Sequence, residues 1–429
     1  MTADRQALQV RIEQALRELP LGEQDIAEIA AALMESNPVL QRNHRLKLDS
    51  SLFDFRCKIT AVIEHFAPHG LTLSAYMGAA RRAPGLFIQS PATLIANIEG
   101  VAKHFHGEGL TRSDYLRAGL RQSGLFTMSA ATVIAHIERV TERFHSEGVT
   151  RKNYLRAALR QPQLFSMSPS TVIANIEAVA EYFRTEGLTQ RNYLRAALKQ
   201  PSLFYRSPAA IQSNIDRVTN HFRSHGLTRS GYLRAIVTRG PSLFTQSPAT
   251  VIAHIEAVTE HFRGEGLTQR DYLRAACRQP SLFYQSPATI IANIEAVTQH
   301  FHAEGLTQRD YLRAALKQPQ LFHQAPATLI RHVQLLIDMQ RQGLVTFGGA
   351  DAALPDKPLA PLFAFLVKAP KFFCLADSNY KLRMEYARVT GDQPGGGALL
   401  TRSRRRIEAD LARFLGRPTP PPSQGAKSV

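Results

Sequence analysis

From Ser90 to Phe126 the chain reads SPATLIANIEGVAKHFHGEGLTRSDYLRAGLRQSGLF. Leu94, Ile95, Ile98, Val101, Ala102 and Phe105 recur at spacings of three and four, which makes one apolar stripe and predicts a helix. Its start is marked by Ser90 and Pro91, a hydroxyl that can accept an orphan amide bond followed by a ring preset for the first helical position. Gly109 marks its end, because glycine tolerates the left-handed conformation found there. Thr111 and Asp114 then form a T-x-x-D capping pattern that opens a second helix, with Tyr115, Leu116, Gly119 and Leu120 within one arc. In most later copies a proline (Pro162, Pro201, Pro241, Pro280 or Pro319) stops this helix ahead of a Leu-Phe pair. That pair is expected to plug the core from a short 3-10 turn.

The pattern returns. Its tyrosine falls at Tyr76, Tyr115, Tyr154, Tyr193, Tyr232, Tyr272 and Tyr311, with steps of 39 residues except for one of 40. A fixed period of this size means stacked units, none of which can bury its apolar face alone. The predicted fold is an all-α, right-handed-type superhelical solenoid of 39-residue helix-turn-helix repeats, each closed by the plug. The expected organisation is an N-terminal helical cap over residues 1–50, tandem repeats over 51–333, a degenerate C-terminal repeat or cap over 334–392, and a basic, proline-rich disordered tail over 393–429.

Charge sharpens the picture. Lys and Arg number 52 against 35 Asp and Glu, a net +17 with a pI near 10.1, which favours an anionic partner. Yet the repeats 247–285 and 286–324 are each neutral, so only a segregated arrangement of charge could attract an anion there. Cys57, Cys277 and Cys374 are too far apart in sequence for a metal-type pair and fit a reducing compartment. No apolar run reaches membrane-spanning length, and the N-terminus lacks a secretory core. Asp4 and Glu13 argue against a mitochondrial presequence. The sequence is read as soluble and intracellular, with a bacterial cytoplasm or delivery into a host cell favoured over the mitochondrion.

Segregation is found in the second helix, where Arg117 and Arg121 stand one turn apart and opposite the buried arc. The pair recurs as Arg156 and Arg160, Arg195 and Lys199, Arg234 and Arg239, Arg274 and Arg278, and Arg313 and Lys317, the fourth stretched by an insertion near Gly240. Such a ladder suits a polyanionic backbone. Arg402, Arg404, Arg405 and Arg406 form an auxiliary basic cluster. First helices carry acids instead, at Glu99, Glu138, Glu177, Asp216, Glu256 and Glu295, which predicts a more negative opposite face. The bland reading is that these cations are ordinary helix-surface residues, some paired with neighbouring glutamates.

Other signals are weaker. Asn97, His136, Asn175, Asn214, His254, Asn293 and His332 share one position, where amide and imidazole interchange, as a half-buried polar boundary would allow. No metal-ligand spacing appears among the histidines. Thr127, Ser166, Tyr205, Thr245, Tyr284 and His323 vary just beyond the plug, which fits either a base-reading code or drift at an exposed turn. No nucleophile and base constellation or phosphate-cradling glycine loop stands out, so the chain is read as a non-enzyme without cofactor.

The unit S-P-x-T-x-I-x-x-N-I, a G-L-T before the second helix and a P-x-L-F after it resembles the repeat of the mitochondrial transcription termination factor (mTERF) family. Gly187-Leu188-Thr189 and Pro201-Ser202-Leu203-Phe204 carry the likeness best, and it covers most of residues 51–333. The resemblance implies an all-helical crescent that binds nucleic acid, often duplex DNA, through a basic groove in organellar gene expression. The units here are longer and more alike than is usual in that family, which points to a recently amplified bacterial relative. The expected partner is nucleic acid, duplex DNA ahead of RNA, bound by a monomer away from membranes. The competing expectation is a scaffold or bacterial effector whose groove holds a partner protein.

Overall fold

The computed structural model describes residues 3–36, 54–347, 359–391 and 396–415. Among them the chain is helical throughout, without a strand, in the order the repeat predicts. It divides into two compact units, Met1–Gln212 and Ser213–Val429. No helix of the described residues is long and apolar enough to cross a membrane.

In each repeat a first helix, such as Pro91–His104, is followed by a tight turn and a second helix, such as Arg112–Arg121. The predicted signals act where they were placed. Ser90 Oγ accepts from Thr93 N at 3.2 Å, and Thr111 Oγ1 accepts from Asp114 N at 3.1 Å. Gly109 turns the chain at φ 89°, a left-handed geometry that a side chain would strain. The Leu-Phe plug forms a single turn that is α-helical at Gln163–Ser166 and 3-10 at Pro201–Phe204.

Within each unit, first helices pack on first helices and second helices on second helices, giving two layers with the plugs between neighbours. The recurring tyrosine ties both directions together. Tyr193 is fully buried and donates its hydroxyl to Leu203 O of its own plug at 3.1 Å. In the same unit the Tyr154 ring meets Phe204, from the plug of the next repeat, edge to face at 5.3 Å. Tyr272 repeats both contacts in the second unit, to Leu282 O at 3.2 Å and to Phe322 at 5.5 Å. Such an aromatic pair adds about 1 kcal/mol beyond the area it buries, so each tyrosine couples a repeat to its neighbour.

The insertion near Gly240 is absorbed inside the helix Arg229–Arg239, one residue longer than its counterparts, with Val237 buried. The ends depart from the repeat. Helices Ala3–Arg17 and Glu23–Ser36 pack together at the N-terminus. Near the other end, Ala360–Lys368 and the plug Pro370–Phe373 act as another second half-repeat.

Part of the segment expected to be a disordered tail is folded. Gly396–Thr401 and Arg404–Phe414 are helices, and the latter buries Ile407 and Leu411 against Asp377–Thr390. These two apolar residues stand one turn apart inside a run dominated by arginine, which masked the helical period. Residues 393–395 and 416–429 of that tail lie outside the described ones.

Candidate nucleic-acid interface

The second helices position the predicted cations, and the structure separates each pair into two environments. Arg117, Arg156, Arg195, Arg234, Arg274 and Arg313 are exposed on the outer side of their helices. Their partners one turn later are also exposed, but they reach across to the next repeat. Arg121 donates to Leu159 O, and Arg160 donates to Leu198 O and, at 3.3 Å, to Lys199 O. In the second unit Arg239 donates to Arg278 O at 3.1 Å, Arg278 to Lys317 O at 3.4 Å, and Lys317 Nζ to Val367 O at 2.9 Å. Arg82, in a repeat outside the predicted set, donates likewise to Leu120 O.

The acceptors are carbonyls at the ends of neighbouring helices, where four per helix lack an intrahelical partner and the macrodipole favours a cation. In five of the six pairs the later cation is therefore an inter-repeat cap. Lys199 occupies the same position.

A further row lies one turn before the first cation, at Lys152, Arg191, Arg270 and Arg309. All four are exposed, and none has an ion pair or hydrogen bond among the described residues. Sequence reading missed them, although their signal was present as basic residues four positions ahead of the ladder in four of the six repeats.

The carboxylate facing the exposed arginine varies between repeats. Arg117 pairs with Asp114, Arg274 with Asp271 at 3.9 Å, and Arg313 with Asp310 at 3.5 Å. A hydrogen bond from the Thr111 hydroxyl, reinforced against burial by Arg117, holds Asp114 below the usual carboxylate range. Asn153, Asn192 and Gly231 replace that aspartate in the other three repeats. Asn153 still completes the cap, accepting from Thr150 N at 2.9 Å and donating to Gly148 O at 2.9 Å. Arg156, Arg195 and Arg234 accordingly have no protein acceptor among the described residues.

The first-helix acids do not form an open negative face. Glu99 meets His65 of the preceding repeat at 3.3 Å and Arg112 of its own second helix at 2.6 Å. Glu138 meets His104 at 3.0 Å and Arg151 at 2.6 Å. Partial burial opposes ionisation of both, but the hydrogen bonds from these partners win and lower both pKa values. Arg143 pairs with Glu177, Arg229 with Asp216 at 2.9 Å, and His221 and His261 reach Glu256 and Glu295 at 2.8 Å. The contacts of Glu99 with His65, Glu138 with His104, and Glu256 with His221 span 34 or 35 residues and join successive repeats, which hid them from a single-repeat reading.

The remaining candidates resolve locally. Asn97 Nδ2 donates to Phe126 O at 3.3 Å and Asn214 Nδ2 to Phe244 O at 3.1 Å, so this polar position ties the first helix to its own plug. Both ring nitrogens of His332 face acceptors, Phe373 O at 2.7 Å and Asp377 Oδ1 at 2.9 Å. Beyond the plug, Thr127, Ser166 and Thr245 turn their hydroxyls back to carbonyls three residues earlier, while Tyr284 stays exposed. His323 faces Gln279 at 3.0 Å, and burial lowers its pKa.

At the C-terminus Arg402 lies over the Tyr386 ring, and Arg404 pairs with Glu408 at 2.7 Å. Arg405 and Arg406 are exposed. Shallow clefts recur where the end of a first helix meets the start of its second helix and the turn of the preceding repeat, one of 590 Å³ beside Glu265, Glu295 and His302 and one of 530 Å³ beside Glu108, Glu142 and Lys152. No group of acids, histidines or cysteines among the described residues could hold a metal ion.

No curated protein matches the chain. The mTERF family pattern matches residues 66–342, which takes in the repeats, their plugs and both rows of exposed cations. The chain belongs to the mTERF family, helical-repeat proteins that generally bind nucleic acid and are not enzymes.

Proposed function

We propose that this chain holds nucleic acid by its phosphate backbone through the exposed cations of its second helices, duplex DNA ahead of RNA, in the service of transcription or its regulation. Lys152, Arg156, Arg191 and Arg195 of the first unit carry the reading, since they are exposed and have no protein acceptor among the described residues. Lys152 and Arg191 also stand in the first turn of their helices, where the macrodipole disfavours a cation. A residue that breaks a local rule with no internal compensation is best explained by an external partner. In the second unit Arg270, Arg274, Arg309 and Arg313 form the corresponding set, with Arg405 and Arg406 as auxiliary contacts. The inter-repeat caps Arg121, Arg160, Arg239, Arg278 and Lys317 support the binding surface by fixing how second helices stack.

Duplex DNA titrated into the full chain at increasing salt tests the reading. Neutralising about six phosphates gives a log-log slope near −5. Binding that is absent, or indifferent to salt, would favour a protein-binding scaffold.

A further inference from the structure

Resting on the reading above, we propose that the residue at the third position of each second helix sets which repeats grip the phosphate backbone. Asparagine leaves a repeat open and aspartate damps it, so the first unit's Lys152, Arg156, Arg191 and Arg195 form the principal anchor.

The two residue types do the same structural work. Asp271 N bonds to Thr268 Oγ1 at 3.1 Å, and Asn153 N bonds to Thr150 Oγ1 at 3.2 Å. Both second helices begin at the same point of the repeat and run for ten residues. What differs is the charge of the side chain and the bond it makes, since Asp271 Oδ2 accepts from the Thr268 hydroxyl at 2.7 Å while Asn153 accepts from Thr150 N and donates to Gly148 O. Asp271 and Asp310 each place a carboxylate within 4 Å of the arginine one turn on, at 3.9 and 3.5 Å. A phosphate approaching Arg274 or Arg313 meets a negative group beside its target, and like charges at that range repel. Beside Arg156 and Arg195 the amides of Asn153 and Asn192 bring no such charge.

The contrast also explains why the repeats 247–285 and 286–324 are neutral while still carrying the full basic ladder. They keep the ladder but hold Arg274 and Arg313 against Asp271 and Asp310. The repeat containing Asp114 behaves likewise, and it has Ser113 where Lys152 and Arg191 stand in the following two.

Asparagine and aspartate exchanged in both directions test the proposal in the full chain, read by fluorescence anisotropy with duplex DNA at fixed moderate salt. Asn153→Asp with Asn192→Asp should weaken binding about fivefold, and Asp271→Asn with Asp310→Asn should strengthen it about threefold, from two exposed ion pairs gained or lost. Because both residue types already cap helices here, helicity by circular dichroism should hold. If the first exchange lowers helicity, the second decides. Removal of Arg156 and Arg195 as glutamines should cost more affinity than removal of Arg274 and Arg313. Unchanged affinity on Asp271→Asn with Asp310→Asn, or equal losses from the two glutamine pairs, would overturn the proposal while leaving phosphate binding in place. No loss from either glutamine pair would instead remove the proposed function itself.

Discussion

The two layers of a repeat treat charge in opposite ways. On the first helices, acids are closed by a base of the preceding repeat and by one at the start of their own second helix, as Glu138 is by His104 and Arg151. On the second helices, cations outnumber acceptors. The later row is absorbed by helix-end carbonyls, and the two earlier rows are left facing water wherever no aspartate stands beside them. A repeat can thus be neutral in total and still present a positive surface, because one layer cancels its own charge and the other does not.

The largest expected effect breaks the open layer. Reversing Arg156 and Arg195 to glutamate should lower affinity for duplex DNA more than tenfold, with circular dichroism unchanged, since each lost phosphate contact also removes about one unit of salt slope. Next comes the row spent on carbonyls. Arg160→Ala and Arg278→Ala should each cost about 1 kcal/mol in a denaturant melt, as a charged cap at a helix C-terminus does, and should leave the salt slope unaltered. A drop in slope equal to that of the outer row would erase the distinction between rows.

Smaller effects probe the closed layer. His104→Ala removes one partner of Glu138 and should cost less than about 1 kcal/mol in stability, with affinity for DNA unchanged. The pKa values of Glu99 and Glu138 are lowered in the fold, so their contribution is present above the unfolded carboxylate range and is lost as pH falls through the folded values. Melts at neutral and acid pH should show the midpoint falling in acid, and Glu99→Gln with Glu138→Gln should flatten that fall. An identical acid profile in the double variant would contradict the closed-layer account.

Much of this was legible before the structure. The apolar spacing of Leu94, Ile98 and Val101, the Ser-Pro start and the Gly-Leu-Thr turn each act within about four residues, and each appears in place. The exposure of the ladder also followed from a helical wheel. What stayed hidden depends on stacking. The bond from Arg160 to Lys199 O spans 39 residues, and the His104 to Glu138 contact spans 34, so neither shows in the period of a single helix. The folded helix at Arg404–Phe414 escaped for a different reason, since only Ile407, Leu411 and Ala412 of its residues are buried and the surrounding arginines dominate its composition.

The salt slope of DNA binding, compared between the native chain and Arg156→Gln with Arg195→Gln, tests the central claim most directly. Two phosphate contacts removed should make the log-log slope shallower by about two. An unchanged slope would show that the exposed cations of the second helices do not touch the phosphate backbone.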